Sequence, residues 1–445
     1  MRSARRYTPA NSRFFTTLVR WTYGIWLRFA YNIEPVGLGA VKNLKPPFVL
    51  VGNHASILDP FILNAFVPHP VHWVTSDGNM RTPLIRFLLL KLAGSIPKSK
   101  AIPDIETVNW IVEVIRGKKG VVGLYPEGQA SWDGCSIPSY PSTAKLLKIL
   151  KAPVLLGKTM GGYLSLPRWT GFRRRGKIVV EFSILFTAEE LKILRPDEIH
   201  ARLEAGLYHD ETAWEETKKI AFVHPRRAEH LELAFFICPS CFSVATMRSR
   251  KDRFFCNACG LDLEFDEYGC LNPVRMPTET RPSRQAPHSL TAEKFASVTR
   301  EFRGQTAAGT TDSPEIPRTV RDWEAWQQNA FREYVIGAAA SGPDHVLLSD
   351  AGVKLSHGWR MEKMQVLGQG RLTLYRDRLV FTPESGPAIV FRVSDIEGPG
   401  VLKKNLFEFY VEKSVYRATF PDLTHTGRSW AVALEILGEK AAAGN

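Results

Sequence analysis

Between residues 46 and 183 short apolar runs alternate with longer stretches of helical period. The runs at 48–51, 72–75, 121–125, 154–158 and 178–182 read as strands, and the stretches at 61–67, 83–93, 105–116 and 143–150 read as helices. Such alternation predicts an α/β domain with a central sheet flanked by helices. A charged helical stretch, 188–207, follows and is expected to lead away from that domain. The pattern then changes twice. Residues 233–271 form a short, cysteine-punctuated unit, whereas 273–317 are rich in Pro, Thr, Ser and Ala without periodicity and read as a linker, with one short helix near 291–302. Beyond it, 371–381, 389–393, 406–411 and 415–420 alternate apolar and polar residues, with turn signals at Arg376-Asp377 and Glu412-Lys413.

A final helix, about 428–437, carries Trp430, Val432, Ala433, Ile436 and Leu437. Antiparallel strands closed by one C-terminal helix resemble a pleckstrin-homology-like domain. The expected divisions are 1–34, 35–225, 232–272, a linker at 273–325 and a β-rich domain at 330–440. At 445 residues the chain has room for several domains of roughly 150 residues each.

The first division has its own pattern. Arg2, Arg5 and Arg6 precede an aromatic-rich segment, 14–31, in which Thr16, Arg20, Gly24 and Arg28 recur every four residues and share one helical face. Phe14, Phe15, Leu18, Trp21, Ile25, Trp26 and Phe29 occupy the rest. This is the pattern of an amphipathic helix lying in a bilayer interface, the alternative being an ordinary core-packing helix. The arginines interrupt the apolar segment and no small-residue cleavage site follows, which argues against a secretory leader. With no uncharged run of 18 apolar residues, no transmembrane span is expected.

A net charge of +13 points to anionic partners without choosing among nucleic acid, phospholipid and a phosphorylated substrate. Six cysteines are too few for a secreted disulfide scaffold of this length, and four of them stand in two Cys-x-x-Cys pairs. That usage favours metal binding in a reducing compartment, the cytoplasm or its membrane face, and with the N-terminal pattern the expected place is the cytoplasmic face of a membrane, peripherally bound.

Candidate chemistry begins at Asn53-His54-Ala55-Ser56-Ile57-Leu58-Asp59-Pro60. The segment follows the apolar run 48–51 through Gly52, where α/β active sites form. Asp59-Pro60 reads as a helix start, with Asp59 as N-cap. Positions five apart diverge by about 140° on a continuous helix, so His54 must precede that helix and can fold back onto Asp59. A neutral imidazole could then take the proton of an attacking hydroxyl while the carboxylate orients the ring and stabilises the imidazolium. A capping aspartate beside a surface-loop histidine satisfies the same spacing. Pro126-Glu127-Gly128, after the run 121–125, is equally compatible with a plain turn.

Four blocks in order resemble the glycerolipid acyltransferases, the family that includes lysophosphatidate acyltransferase. They are Asn53-His54-x-Ser56-x-x-Asp59-Pro60, Gly94-Ser95-Ile96-Pro97-Lys98, Tyr125-Pro126-Glu127-Gly128 and Ala152-Pro153-Val154-Leu155, spread over roughly residues 35–185. The resemblance implies an acyltransferase domain over 35–225, with His54 as base and Asp59 as its partner. It also implies that Asn53, Ser56, Lys98, Glu127, Gly128 and Pro153 help bind substrate. The donor would be an acyl-CoA or acyl-carrier-protein thioester, the acceptor a lysophospholipid at a membrane surface, with 1-acylglycerol-3-phosphate as the expected one. One departure matters. The family usually continues Glu-Gly-Thr-Arg-Ser, whereas this chain has Gln129-Ala130-Ser131. Alanine cannot replace a bidentate guanidinium, so either another cation binds the phosphate or the acceptor is a different lipid. Lys98, Lys158, and the cluster Arg168, Arg173, Arg174, Arg175 and Lys177 are available.

Cys238-Pro-Ser-Cys241 and Cys256-Asn-Ala-Cys259-Gly260 carry the spacing of a four-cysteine zinc ribbon. Four ligands leave no open position, so the zinc would be structural and would fold the module over 232–272. Two readings of other classes compete. A nucleic-acid-binding protein is suggested by the ribbon and by Arg248, Arg250, Lys251 and Arg253, but leaves the four blocks unexplained and is disfavoured. A non-catalytic lipid-binding adaptor is opposed by the intact His54, Asp59, Glu127 and Gly128.

Overall fold

Runs of Val, Leu and Ile without polar alternation suit strands covered on both faces, and the chain between Ile33 and Phe186 supplies seven strands of one sheet. They are Ile33–Val36 (β1), Phe48–Gly52 (β2), Val71–Ser76 (β3), Ile96–Lys98 (β4), Val121–Leu124 (β5), Val154–Met160 (β6) and Ile178–Phe186 (β7). The spatial order is β1-β7-β6-β2-β5-β3-β4, parallel throughout except where β7 runs antiparallel to β6. The computed structural model describes residues 9–99, 104–277 and 316–443. Arg2, Arg5, Arg6 and the short helix expected near 291–302 lie outside the described residues, as does most of the expected linker. Two compact units result: Met1–Arg168, Arg174–Phe222 and Arg360–Lys363 form the first, and Trp169–Arg173, Val223–Trp359 and Met364–Asn445 the second.

In the first unit β2 is central and buried along its whole length. Because side chains alternate across a strand, its residues divide between two cores. Val49 and Val51 join a layer with Ile111, Leu147 and Leu203, and Phe48 and Leu50 join the other with Leu27, Ile62 and Leu63. The stretch 188–207 does not lead away. It forms two helices, Ala188–Ile193 and Pro196–Leu207, whose Leu191, Ile199, Leu203 and Leu207 recur at helical spacing and bury against the sheet. Strands β1 and β4 have no counterpart in the sequence reading, being short runs of mixed polarity at or near the sheet edges.

The N-terminal segment is one helical run, Arg13–Val19, a π-helical turn Arg20–Gly24, and Ile25–Ala30. Gly24 seats against Ala65, and Tyr23 meets Phe61 edge-on at 5.4 Å. Among the described residues no helix is long and apolar enough to cross a membrane.

The second unit begins with an antiparallel sheet of Met247–Arg250 (β8), Arg253–Cys256 (β9), Asp262–Phe265 (β10) and Leu271–Arg275 (β11). A helix not among the expected elements packs onto this module. Val320–Ala340 lays Trp323 against Phe254 at 5.4 Å and Trp326 against Phe242 at 6.2 Å. Its buried Gln327 accepts from the Phe236 and Ile237 amides and donates to the Ala234 carbonyl, so the polar group is satisfied. Seven antiparallel strands follow: Leu348–Gly358 (β12), Gln365–Leu374 (β13), Arg378–Pro383 (β14), Ile389–Arg392 (β15), Glu397–Leu402 (β16), Leu406–Val411 (β17) and Ser414–Thr419 (β18). They lie in the order β15-β14-β13-β12-β18-β17-β16, and the helix Gly427–Ala443 packs on β16 and β17.

Candidate active site

Register brings the site together. In the β2–β5 pair Val51 stands opposite Leu124, so residues three positions further on, His54 and Glu127, leave adjacent strands side by side. The His54 amide donates to Glu127 Oε1 at 2.9 Å, and Ile137 donates to Oε2 at 3.0 Å. Asn53 is fixed on the other side, its amide exchanging two 2.8 Å hydrogen bonds with the Thr159 backbone of β6. The loop carrying His54 is therefore tied to both neighbouring strands.

Asp59 is the first residue inside the helix Asp59–Asn64, with Leu58 at the cap position, one residue earlier than the sequence suggested. Its carboxylate reaches back rather than capping forward. Fully buried Oδ2 accepts from His54 Nδ1 at 2.9 Å and from the Ala55 and Ser56 amides at 2.8 Å each. Burial raises the Asp59 carboxyl above its ordinary value, opposed by these hydrogen bonds and by the charge of His54. With the proton on Nδ1, Nε2 is the basic atom of the ring. The His54 side chain is 22% exposed, open enough for a substrate hydroxyl to reach it.

A stack the sequence reading missed supports the imidazole. The Tyr125 ring lies against His54 at 4.4 Å and 21°, and Trp73 lies under Tyr125 at 5.1 Å and 8°. Gly123 makes room for it, since a Cβ there would stand 2.6 Å from Trp73. Tyr125 is legible as the end of the apolar run 121–125, one residue past β5, but its partner Trp73 comes from β3, two positions across from β2 in the sheet.

The other expected site residues are placed as follows. Ser56 is buried, and its Oγ accepts from Leu58 N at 3.4 Å. Glu127 is buried with both oxygens on backbone amides, and burial pushes its pKa up to about 8. Gly128 has φ +75°, and a Cβ there would meet Tyr140 at 2.6 Å, which explains the glycine without a ligand. Lys98 ends β4, with Nζ on the Ser99 carbonyl at 2.7 Å and the carboxylates of Asp104 and Asp77 acting on it. Pro153 stands at the opposite end of the sheet, where its carbonyl accepts from Val49. Five residues of strand separate that level from His54, roughly 16 Å.

The state of Glu127 makes stability pH-dependent. Its folded pKa lies above the unfolded value, so its contribution is fully present below the unfolded pKa near 4.5 and is lost as pH rises through about 8. Across that window the loss is about 1.4 kcal/mol per pH unit. Urea midpoints measured from pH 5 to 8 should fall with pH in the wild type and less steeply in Glu127→Gln; parallel profiles would remove Glu127 as the cause.

The family model for acyltransferases matches residues 32–156, the segment that carries His54, Asp59, Tyr125 and Glu127. Those residues form an acyltransferase domain. The 1-acyl-sn-glycerol-3-phosphate acyltransferase of Saccharomyces cerevisiae is 28% identical over 124 residues, 26% of this chain and 40% of its own. The chain thus spans less than half the length of that relative. The crystal structure of the 1-acyl-sn-glycerophosphate (LPA) acyltransferase PlsC from Thermotoga maritima aligns at a TM-score of 0.37 and 18% identity, covering 46% of this chain and 81% of that one. Near the acyltransferase domain's Gln129-Ala130-Ser131 lies one of the expected cations. Arg168 donates to the Ala130 carbonyl at 2.7 Å, and its guanidinium lies 4.0 Å over the Trp132 ring. The same loop returns to the active site, where the Ser131 amide donates to the His54 carbonyl at 3.0 Å.

In the second unit the Sγ atoms of Cys238, Cys241, Cys256 and Cys259 all lie within 4.8 Å of one another. The Cys238–Cys259 and Cys241–Cys256 separations are both 3.7 Å. That is too long for a disulfide. It matches the edge of a tetrahedron, about 3.8 Å when metal–sulfur bonds are about 2.3 Å. The donor set therefore fits a tetrahedral metal.

Proposed function

We propose that this protein is an O-acyltransferase that moves a fatty acyl group from a thioester to a hydroxyl of a lysophospholipid, with 1-acylglycerol-3-phosphate as the favoured acceptor. The observation carrying this reading is the His54 Nδ1–Asp59 Oδ2 hydrogen bond of 2.9 Å at the carboxyl end of β2, with Nε2 left to receive a proton. The acceptor hydroxyl attacks the thioester carbonyl as Nε2 removes its proton, and buried Asp59 stabilises the imidazolium. The C–O ester bond forms, the C–S bond breaks, and the imidazolium returns the proton to the departing thiolate. Glu127 and Asn53 act by holding the His54 loop, and Glu127 and Gly128 remain candidate acceptor contacts.

Arg168 is the best placed cation for an acceptor phosphate, since it sits on Ala130, where the family's arginine would begin. Removing one charge-assisted contact of this kind costs about 1.5–3 kcal/mol, roughly 10- to 100-fold. Arg168→Ala should therefore raise KM for lysophosphatidate by that factor and leave an uncharged monoacylglycerol unaffected. Equal effects on both acceptors would remove the phosphate role.

The donor is acyl-CoA or acyl carrier protein, and the setting a membrane surface at its cytoplasmic face, where the aromatic helix of residues 13–30 would rest. The four cysteines bind structural zinc, and β12–β18 with their C-terminal helix form a pleckstrin-homology-like module. A nucleic-acid role is weakened by local pairing of the ribbon's cations: Arg253 pairs with Asp262 at 2.6 Å, and Arg248 donates to the Ala245 and Met247 carbonyls. The reading is tested by incubating purified protein with labelled acyl-CoA or acyl carrier protein and a panel of lysolipids. Ester product is expected, and none from any donor–acceptor pair, with salt-sensitive nucleic-acid binding instead, would overturn it.

A further inference from the structure

Residues 83–92, Pro-Leu-Ile-Arg-Phe-Leu-Leu-Leu-Lys-Leu, form a helix, Pro83–Phe87 running into the π-helical turn Leu88–Leu92. Seven of its ten residues are large and apolar, yet none is buried. A helix in contact with water on one side turns an apolar stripe inward. This one leaves Leu84 65% and Phe87 55% exposed. Exposed apolar patches of this kind mark an interaction surface.

Its position says which. The helix ends beside the start of the N-terminal helical run, where Ser12 N donates to the Leu92 carbonyl at 2.9 Å. That run also turns aromatics outward, with Phe14 77% and Phe29 83% exposed, and buries only Gly24 and Leu27. Its Tyr23 touches Phe61, which with exposed Ile57 belongs to the segment carrying His54 and Asp59. Charge is one-sided: no Asp or Glu occurs at residues 1–33 or 78–103, while Arg13, Arg28 and Lys91 are exposed. Segments that carry exposed apolar side chains and cations but no acid suit an anionic bilayer, whose acyl region takes the apolar groups and whose headgroups attract the cations.

We propose that residues 83–92 are a second membrane-inserting element, which together with residues 13–30 forms one bilayer-facing surface beside His54. The proposal rests on the reading of residues 13–30 as interfacial and adds to it. The surface brings Ile57 and Phe61 to the lipid, so an acceptor enters the site from the bilayer rather than from solution.

The test compares full-length wild type, Leu84→Glu/Phe87→Glu and Trp21→Glu/Phe29→Glu by cosedimentation with vesicles of phosphatidylcholine alone or mixed with phosphatidylglycerol. All four side chains are exposed, so folding should survive, and circular dichroism checks it. Wild type should prefer the anionic vesicles. Each double variant should lose at least about tenfold in partitioning, the Leu84/Phe87 pair retaining its rate on a short-chain, monomeric lysolipid. Wild-type binding by Leu84→Glu/Phe87→Glu, with loss only in the other variant, would overturn the second element alone. No vesicle binding by wild type would overturn the membrane surface as a whole. A concentration-dependent dimer in light scattering, abolished by Leu84→Glu/Phe87→Glu, would make the face a protein interface and overturn the proposal.

Discussion

Asp59→Asn is expected to lower kcat by about 10²- to 10⁴-fold while leaving the fold intact. The reason lies in how one oxygen does all the bonding. Oδ2 accepts from His54 Nδ1, Ala55 N and Ser56 N, whereas buried Oδ1 has no hydrogen-bond partner among the described residues. An asparagine can place its carbonyl at Oδ2 and keep all three donors satisfied. What it cannot supply is the negative charge that stabilises the imidazolium. Asp59→Ala separates the two roles. It should show the same kinetic loss and also lose about 1–3 kcal/mol for each buried amide left unpaired. Initial rates and urea midpoints on the two variants check this, and an Asp59→Asn enzyme with wild-type kcat would reduce Asp59 to a loop anchor.

The second large effect concerns the proposed zinc site. Cys256 ends β9 and is buried beside Cys241, while the core around it depends on Trp323 and Trp326 from a distant part of the chain. Binding of structural zinc to such a site is worth about 10–16 kcal/mol, as much as the whole stability of a typical domain. Cys256→Ser, or prolonged chelation, should therefore expose residues 233–275 to proteolysis and abolish stoichiometric zinc. Metal analysis with limited proteolysis reads both. A metal-free protein as protease-resistant as the original would remove the structural role.

Local contacts were legible in the sequence and distant ones were not. The His54–Asp59 bond joins residues five apart, and the buried run before it, with Pro60 after it, announces a strand end and a helix start. The Glu127 contact spans 73 residues and depends on the β2–β5 register, which no pattern within either strand reveals. From the sequence its carboxylate is legible only as a candidate substrate contact, and that it also braces the His54 loop is visible only in the fold. Pro153 misled for a similar reason: a proline before an apolar strand is visible, but which end of the sheet it occupies is not. Arg168 was one cation among seven candidates until its partners Ala130 and Trp132 were known. Two further elements carry a local signal. Trp323, Trp326, Ala330 and Tyr334 recur at helical spacing in Val320–Ala340, as do Ile199, Leu203 and Leu207 in the stretch read as leading away.

These contacts give the imidazole of His54 a single duty. It is oriented by Asp59, braced by Tyr125 and held in place through its own amide by Glu127. The direct measurement is the initial rate of acyl transfer from a labelled thioester to lysophosphatidate by wild type and His54→Ala, prepared identically. The expected result is ester product from the wild type and a loss of about 10²- to 10⁴-fold in the variant, at unchanged stability. Equal product from both proteins would contradict the assignment of His54 as the base.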